Sequence, residues 1–95
     1  MDLAIQLRPD DAAARYIYGF TLATAGKGAD AETHLRKAAE LNAVYAAPHF
    51  VLATVFESQG KKPEAVAEYR AFLARASRND LRREEAEKRL QTLSS

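Results

Sequence analysis

The stretch Tyr18-Gly19-Phe20-Thr21-Leu22-Ala23-Thr24-Ala25-Gly26-Lys27 returns 34 residues later as Leu52-Ala53-Thr54-Val55-Phe56-Glu57-Ser58-Gln59-Gly60-Lys61. The register persists on both sides of the glycine. Ala31 becomes Ala65, Leu35 becomes Tyr69 and Ala39 becomes Leu73. Small residues meet small ones and large apolar residues meet large apolar ones. A repeat of this period is a supersecondary unit that stacks on its neighbours, because one unit cannot bury its apolar face alone.

Each unit reads as two helices. The first spans about residues 11 to 25, with Asp10 or Asp11 able to accept from its unpaired first N–H groups. Gly26 stops it, where a positive φ costs glycine little. The second spans about 29 to 42, with Asp30 and Glu32 at its start and Asn42 as a left-handed terminator. The third spans about 46 to 59, with Pro48 in its first turn and Gly60 after it. The fourth starts at Pro63 and runs to about 76. Asn79 or Asp80 opens a last helix that ends near Leu93. Leu81, Ala86, Leu90 and Leu93 form its narrow apolar stripe, and the other face carries Arg82, Arg83, Glu84, Glu85, Glu87, Lys88 and Arg89. Glu84–Lys88 and Glu85–Arg89 are i,i+4 pairs in the favourable orientation. A helix charged on one side and apolar on the other is suited to cap a stack.

The pattern resembles the tetratricopeptide repeat family, whose motif is W-x2-L-G-x2-Y, then A-x3-F, then P. The first unit gives Arg15-x2-Tyr18-Gly19-x2-Leu22, Ala31-x3-Leu35 and Ala43. The second gives His49-x2-Leu52-Ala53-x2-Phe56, Ala65-x3-Tyr69 and Ser77. The tryptophan and closing proline positions depart from the motif, and Phe72 stands where the first unit has the small Ala38. Ala4-Ile5-Gln6-Leu7-Arg8-Pro9 resembles the end of an earlier unit. The resemblance implies an all-α fold: a right-handed superhelix of antiparallel helix pairs with a C-terminal capping helix. One domain covers residues 1–95, with a truncated repeat at 1–9, full repeats at 11–44 and 45–78, and the cap at 79–95. Gly19 with Ala31, and Ala53 with Ala65, are the small pairs that let facing helices approach. An array of this kind is open and buries less surface than a globule.

In the family, the first helix of each pair lines a concave face. Carried onto this chain, that face holds Ala13, Tyr16, Phe20, Ala23 and Thr24, then Ala47, Phe50, Thr54, Glu57 and Ser58. Exposed aromatics on one face are a binding signal. The expected function is a non-catalytic scaffold that holds a peptide or helix of a partner protein in this groove. The Lys, Asn and Arg that clamp a partner's C-terminal carboxylate in some relatives are replaced by Tyr16, Phe20, Phe50 and Thr54, so chaperone-tail binding is not expected. The alternative is a homodimer. Met1, Leu3, Ala4, Ile5 and Leu7 read as half a hairpin without a covering helix, and a second copy would close that end.

Composition narrows the remaining classes. The 95 residues carry 14 Lys and Arg against 13 Asp and Glu, a net charge of +1, which is not the basic balance of a dedicated nucleic-acid binder. A 34-residue period and an aromatic groove also differ from the RNA-reading helical repeats. Arg75, Arg78, Arg82 and Arg83 lead a modest basic excess after residue 60, read as a solvated face. With no cysteine, a disulfide framework, a zinc knuckle and a thiol nucleophile are excluded. No apolar run is long enough for membrane insertion, and Met1 to Arg8 is no secretory signal, so the expected location is cytoplasmic. His34 and His49 lack metal or general-base spacing, His34 being expected in solvent and His49 between helices. The serines lack a nucleophile-elbow context, and Gly26-Lys27-Gly28 lacks the spacing of a phosphate loop. No catalytic residue, metal or cofactor is expected.

Overall fold

The computed structural model describes residues 11–94. Every element in this range is a helix: α1 (Ala12–Thr24), α2 (Gly28–Leu41), α3 (Ala47–Ser58), α4 (Lys62–Arg75) and α5 (Arg82–Ser94). The expectations placed on Met1, Leu3, Ala4, Ile5, Leu7 and Pro9, and with them the dimer contact, lie outside the described residues.

The helix limits follow from local chemistry. Asp11 accepts from the backbone N–H of Ala13 at 2.8 Å and of Ala14 at 3.3 Å, which satisfies two orphan donors of α1. Pro48 and Pro63 sit in the first turns of α3 and α4, where no N–H is needed. The two turns that close the hairpins are copies of each other. Gly26 has φ 80° and Gly60 has φ 75°, the left-handed conformation that ends a helix at low cost for glycine. After them, Lys27 N donates to Leu22 O at 2.9 Å, and Lys61 N donates to Phe56 O at 2.9 Å. The 34-residue period is therefore present in the backbone hydrogen bonds as well as in the side chains.

Asn42 differs from its expected role. Its φ of −144° is extended, not left-handed, and its Oδ1 accepts from Val44 N at 3.3 Å. It begins a side-chain-closed turn, which redirects the chain without the left-handed residue. Asp80 opens the last helix by accepting from Arg82 N at 2.9 Å. Leu81 does not join the apolar stripe of α5. It precedes the first turn and is 93% exposed, while Ala86 is fully buried and Leu90 and Leu93 pack on the core.

Successive helices pack on one another, α1 on α2 and α3 on α4 most extensively, then α2 on α3 and α4 on α5. A smaller contact joins α1 to α3. Small residues set the closest crossing. A Cβ on Gly19 would come 2.7 Å from Leu35 Cγ and 3.3 Å from the Ala31 carbonyl. Ala31, Ala53 and Ala65 are fully buried at the corresponding places. Around them lie Leu35, Leu52, Phe56, Tyr69 and Phe72, each large side chain contributing about 1.5–3 kcal/mol by leaving water. Phe72, the large residue that replaces Ala38, is accommodated against Phe50 at 5.2 Å between ring centroids. The radius of gyration, 12.8 Å, is close to the roughly 12 Å of a compact domain of this length. The open, low-burial shape expected of a repeat array is thus not reached. Two helix pairs and a closing helix are too few for the stack to spread apart.

Candidate functional site

The first helices of the two pairs form a cleft, closed at one side by the start of α5. It has a volume of ≈ 340 Å³ and is mainly apolar, with Tyr16, Phe20, Ala23 and Thr24 from α1, Phe50, Val51 and Thr54 from α3, and Arg82. The one-turn spacing Tyr16, Phe20, Thr24 puts these residues on one α1 stripe. Phe50 and Thr54 repeat that stripe 34 residues on.

The aromatics form two packed groups, one on each side of the cleft. Tyr16 stacks on Phe20 at 6.1 Å and meets the edge of Tyr45 at 5.6 Å. Phe50 is edge-on to Tyr69 at 5.8 Å, so it joins the cleft to the core. Phe20 is 47% exposed, an apolar ring presented to whatever enters.

Arg82 supplies the polar end. Its guanidinium lies 5.8 Å from the Phe50 ring centroid and 5.5 Å from that of Phe72, and Nη1 reaches the Tyr16 hydroxyl at 3.5 Å. Asp80 holds it from behind, with Oδ1 3.3 Å from Nε and Oδ2 3.3 Å from Nη2. Burial works against the Asp80 charge, but hydrogen bonds from the Arg82 backbone and side chain and the charges of Arg82 and Arg83 keep its carboxyl below the usual carboxylate range. Burial and the neighbouring Tyr16 raise the Tyr45 hydroxyl against the opposing pull of Arg82.

The structure brings together Tyr16, Phe20, Ala23, Thr24, Phe50 and Thr54 of the expected face. Ala13 is exposed one turn before the cleft begins, and Ala47 is buried at 7% exposure. Glu57 accepts from the Tyr69 hydroxyl at 2.9 Å and pairs with Arg89 of α5 at 3.1 Å, so it ties the closing helix down. Ser58 lines a smaller neighbouring recess beside Gly26 and Gly28.

Sequence reasoning missed Val51 and Arg82 as lining residues. Arg82 was grouped with the solvated arginines, and others of that group also have structural partners. Arg83 donates to the carbonyls of Leu73 and Ala76 at 3.0 and 3.1 Å, and Arg75 donates to Ala43 O at 2.7 Å. The available signal for Arg82 was Asp80 two residues before it, a carboxylate at the start of the last helix that can hold the guanidinium in place.

The histidines lie at the helix crossings. His49 Nδ1 donates to Glu68 Oε1 at 2.7 Å, and they line a separate open recess with Arg36 and Glu40. Arg15 Nη1 donates to His34 Nδ1 at 3.0 Å, and the Tyr18 ring lies 4.4 Å from the imidazole, so His34 is not simply in solvent. Among the described residues no group of His, Asp and Glu is arranged to hold a metal ion, and no helix is long and apolar enough to cross a membrane.

No protein-family model matches this chain, and a search of curated proteins gives no significant match.

Proposed function

We propose that this chain is a tetratricopeptide-type helical repeat domain and a non-catalytic scaffold that holds a peptide or helix of a partner protein in the α1–α3 cleft. The repeat assignment is supported by the duplicated glycine turns and the small residues at both hairpin crossings. The binding assignment is carried by one observation: a largely apolar cleft of ≈ 340 Å³ with Phe20 presented across it. Such a cleft suits an apolar side chain or the apolar face of a helix. Its aromatic walls are already ordered by mutual packing, so little conformational entropy is lost on binding. Arg82 over the Phe50 ring orients a polar group of the ligand at one end.

The test is selection of binders from a peptide display library, with amide shift mapping of each binder. Binders should perturb Phe20, Thr24 and Thr54 together. Phe20→Ser and Thr54→Glu, both at exposed positions, should each weaken them at least about tenfold, or about 1.4 kcal/mol. Binders that perturb only the His49–Glu68 recess, or affinities unmoved by both substitutions, would exclude the cleft.

A further inference from the structure

Charge is distributed unevenly along the α1–α3 cleft. Arg82 is the one charged side chain that lines it, and among the described residues no carboxylate does. The guanidinium is held in place without being used up. Asp80 takes Nε and Nη2, each at 3.3 Å, longer than the roughly 2.7–2.9 Å of a tight charge-assisted hydrogen bond. Nη1 carries two N–H donors, and its hydrogen-bond partner among the described residues is the Tyr16 hydroxyl, at 3.5 Å. The rings of Phe50 and Phe72 lie 5.8 and 5.5 Å from the guanidinium carbon and keep water from that side. A cation with one dry side attracts a counter-charge more strongly than one in open water. The side chain is 38% exposed, so a ligand reaches it.

The far end of the cleft has the opposite character. Thr24 lies two turns beyond Tyr16, about 12 Å along α1. Its hydroxyl donates to Thr21 O at 2.9 Å, and the Thr54 hydroxyl donates to Val51 O at 2.8 Å. With their protons committed to their own helices, both hydroxyls offer only lone pairs. Donors and positive charge are gathered at the Arg82 end, and the exposed Phe20 ring lies between the two ends.

On the reading of the cleft as a peptide site, we infer that the partner segment carries an Asp or Glu side chain, its carboxylate bound by Arg82 Nη1 and the Tyr16 hydroxyl, with an apolar side chain beside it on Phe20. The carboxylate is a side chain's and not a chain end's. Arg82 stands at an exposed rim, so the ligand backbone continues past it.

The probe is a randomised peptide library displayed through its C-terminus, which offers no free terminal carboxylate, selected on the full chain. Binders should share an Asp or Glu. In synthetic C-terminally amidated copies, changing that residue to Asn or Gln should weaken binding at least about tenfold. On Arg82→Gln the same change should cost less than about twofold. Tyr16→Phe, which keeps the ring, should cut that cost at least threefold, and it decides the matter should Arg82→Gln fail to fold. Binders with no shared acidic residue would overturn the inference, as would an acid-to-amide cost that survives both substitutions. In either case weakening by Phe20→Ser leaves the cleft reading standing alone. Binders indifferent to Phe20→Ser and Arg82→Gln, or a library that yields no cleft binder, overturn both.

Discussion

His49 and Glu68 join α3 to α4 at 2.7 Å, one 34-residue period after Arg15 and His34 join α1 to α2 at 3.0 Å. The two crossings hold the same position pair with different chemistry. At the first, histidine accepts from a cation. At the second, it donates to a carboxylate. The polar link is thus part of the repeat, although no residue is shared in place. His49 and Glu68 are 14% and 19% exposed, so removing one strands the other in a partly dry site. His49→Ala and Glu68→Ala should each cost about 1–2 kcal/mol, with measurable coupling in a double-mutant cycle under urea denaturation.

The first crossing makes stability depend on pH. Burial, then the Arg15 charge, lowers the His34 pKa below 6.5, against a smaller opposing effect of Asp30. The folded chain therefore binds fewer protons at His34 than the unfolded chain once the pH falls toward 6.5, and stability drops from there down to the folded pKa. His34→Gln, which keeps an acceptor for Arg15, should flatten urea midpoints between pH 7.5 and 5.5. Asp80 adds a second loss at more acid pH, below its ordinary 3.8, because its folded pKa is depressed. Asp80→Asn should remove that second loss and leave the first.

Two glycines should resist replacement for different reasons. Gly19→Ala adds a methyl 2.7 Å from Leu35 Cγ, and Leu35 is fully buried with nowhere to move. The gain of about 1 kcal/mol in helix propensity is opposed by about 1–3 kcal/mol of overpacking, so the variant should be less stable. Gly60→Ala meets nothing within 4 Å, but it places a side chain at φ 75° and should cost about 1–2 kcal/mol. Leu35→Ala should restore tolerance of Gly19→Ala and leave the cost of Gly60→Ala unchanged.

The Tyr69 hydroxyl should resist ionisation. Burial, followed by its hydrogen bond to Glu57 and the charge there, pushes its hydroxyl up to about 12. Stability is retained below the ordinary pKa of 10.0 and lost as pH rises toward the folded value. Absorbance titration should show a late phenol phase that Tyr69→Phe removes. Tyr69→Phe should cost about 0.5–1.5 kcal/mol, because Glu57 keeps Arg89.

The cleft phenylalanines should separate binding from folding. Phe20→Ala should leave the thermal midpoint nearly unchanged, since the ring is 47% exposed. Phe50→Ala should lower stability by about 2–4 kcal/mol, because that ring packs on both Tyr69 and Phe72. Thermal melts of the two variants decide this. Loss of ligand binding in Phe20→Ala then reports on the cleft, whereas in Phe50→Ala it reports on folding as well.

The sequence by itself determined the period, the helices and the two glycine turns. These are local properties: a glycine at positive φ, a carboxylate beside free N–H groups and apolar residues one turn apart act over a few residues each. The small pairs at the crossings were legible for the same reason, through the repeat. Tertiary structure decided which neighbour covers each face. Helical spacing put Glu57 and Phe50 on one stripe, but the approach of α5 drew Glu57 into a tie with Arg89, and α4 drew Phe50 toward the core. Leu81 and Arg82 are adjacent in the chain, yet one projects into solvent and the other closes the cleft. Asp80 sets that difference by capping α5 and gripping Arg82. Residue pattern fixes the angle of a side chain about its own helix axis, and only packing fixes what lies opposite it.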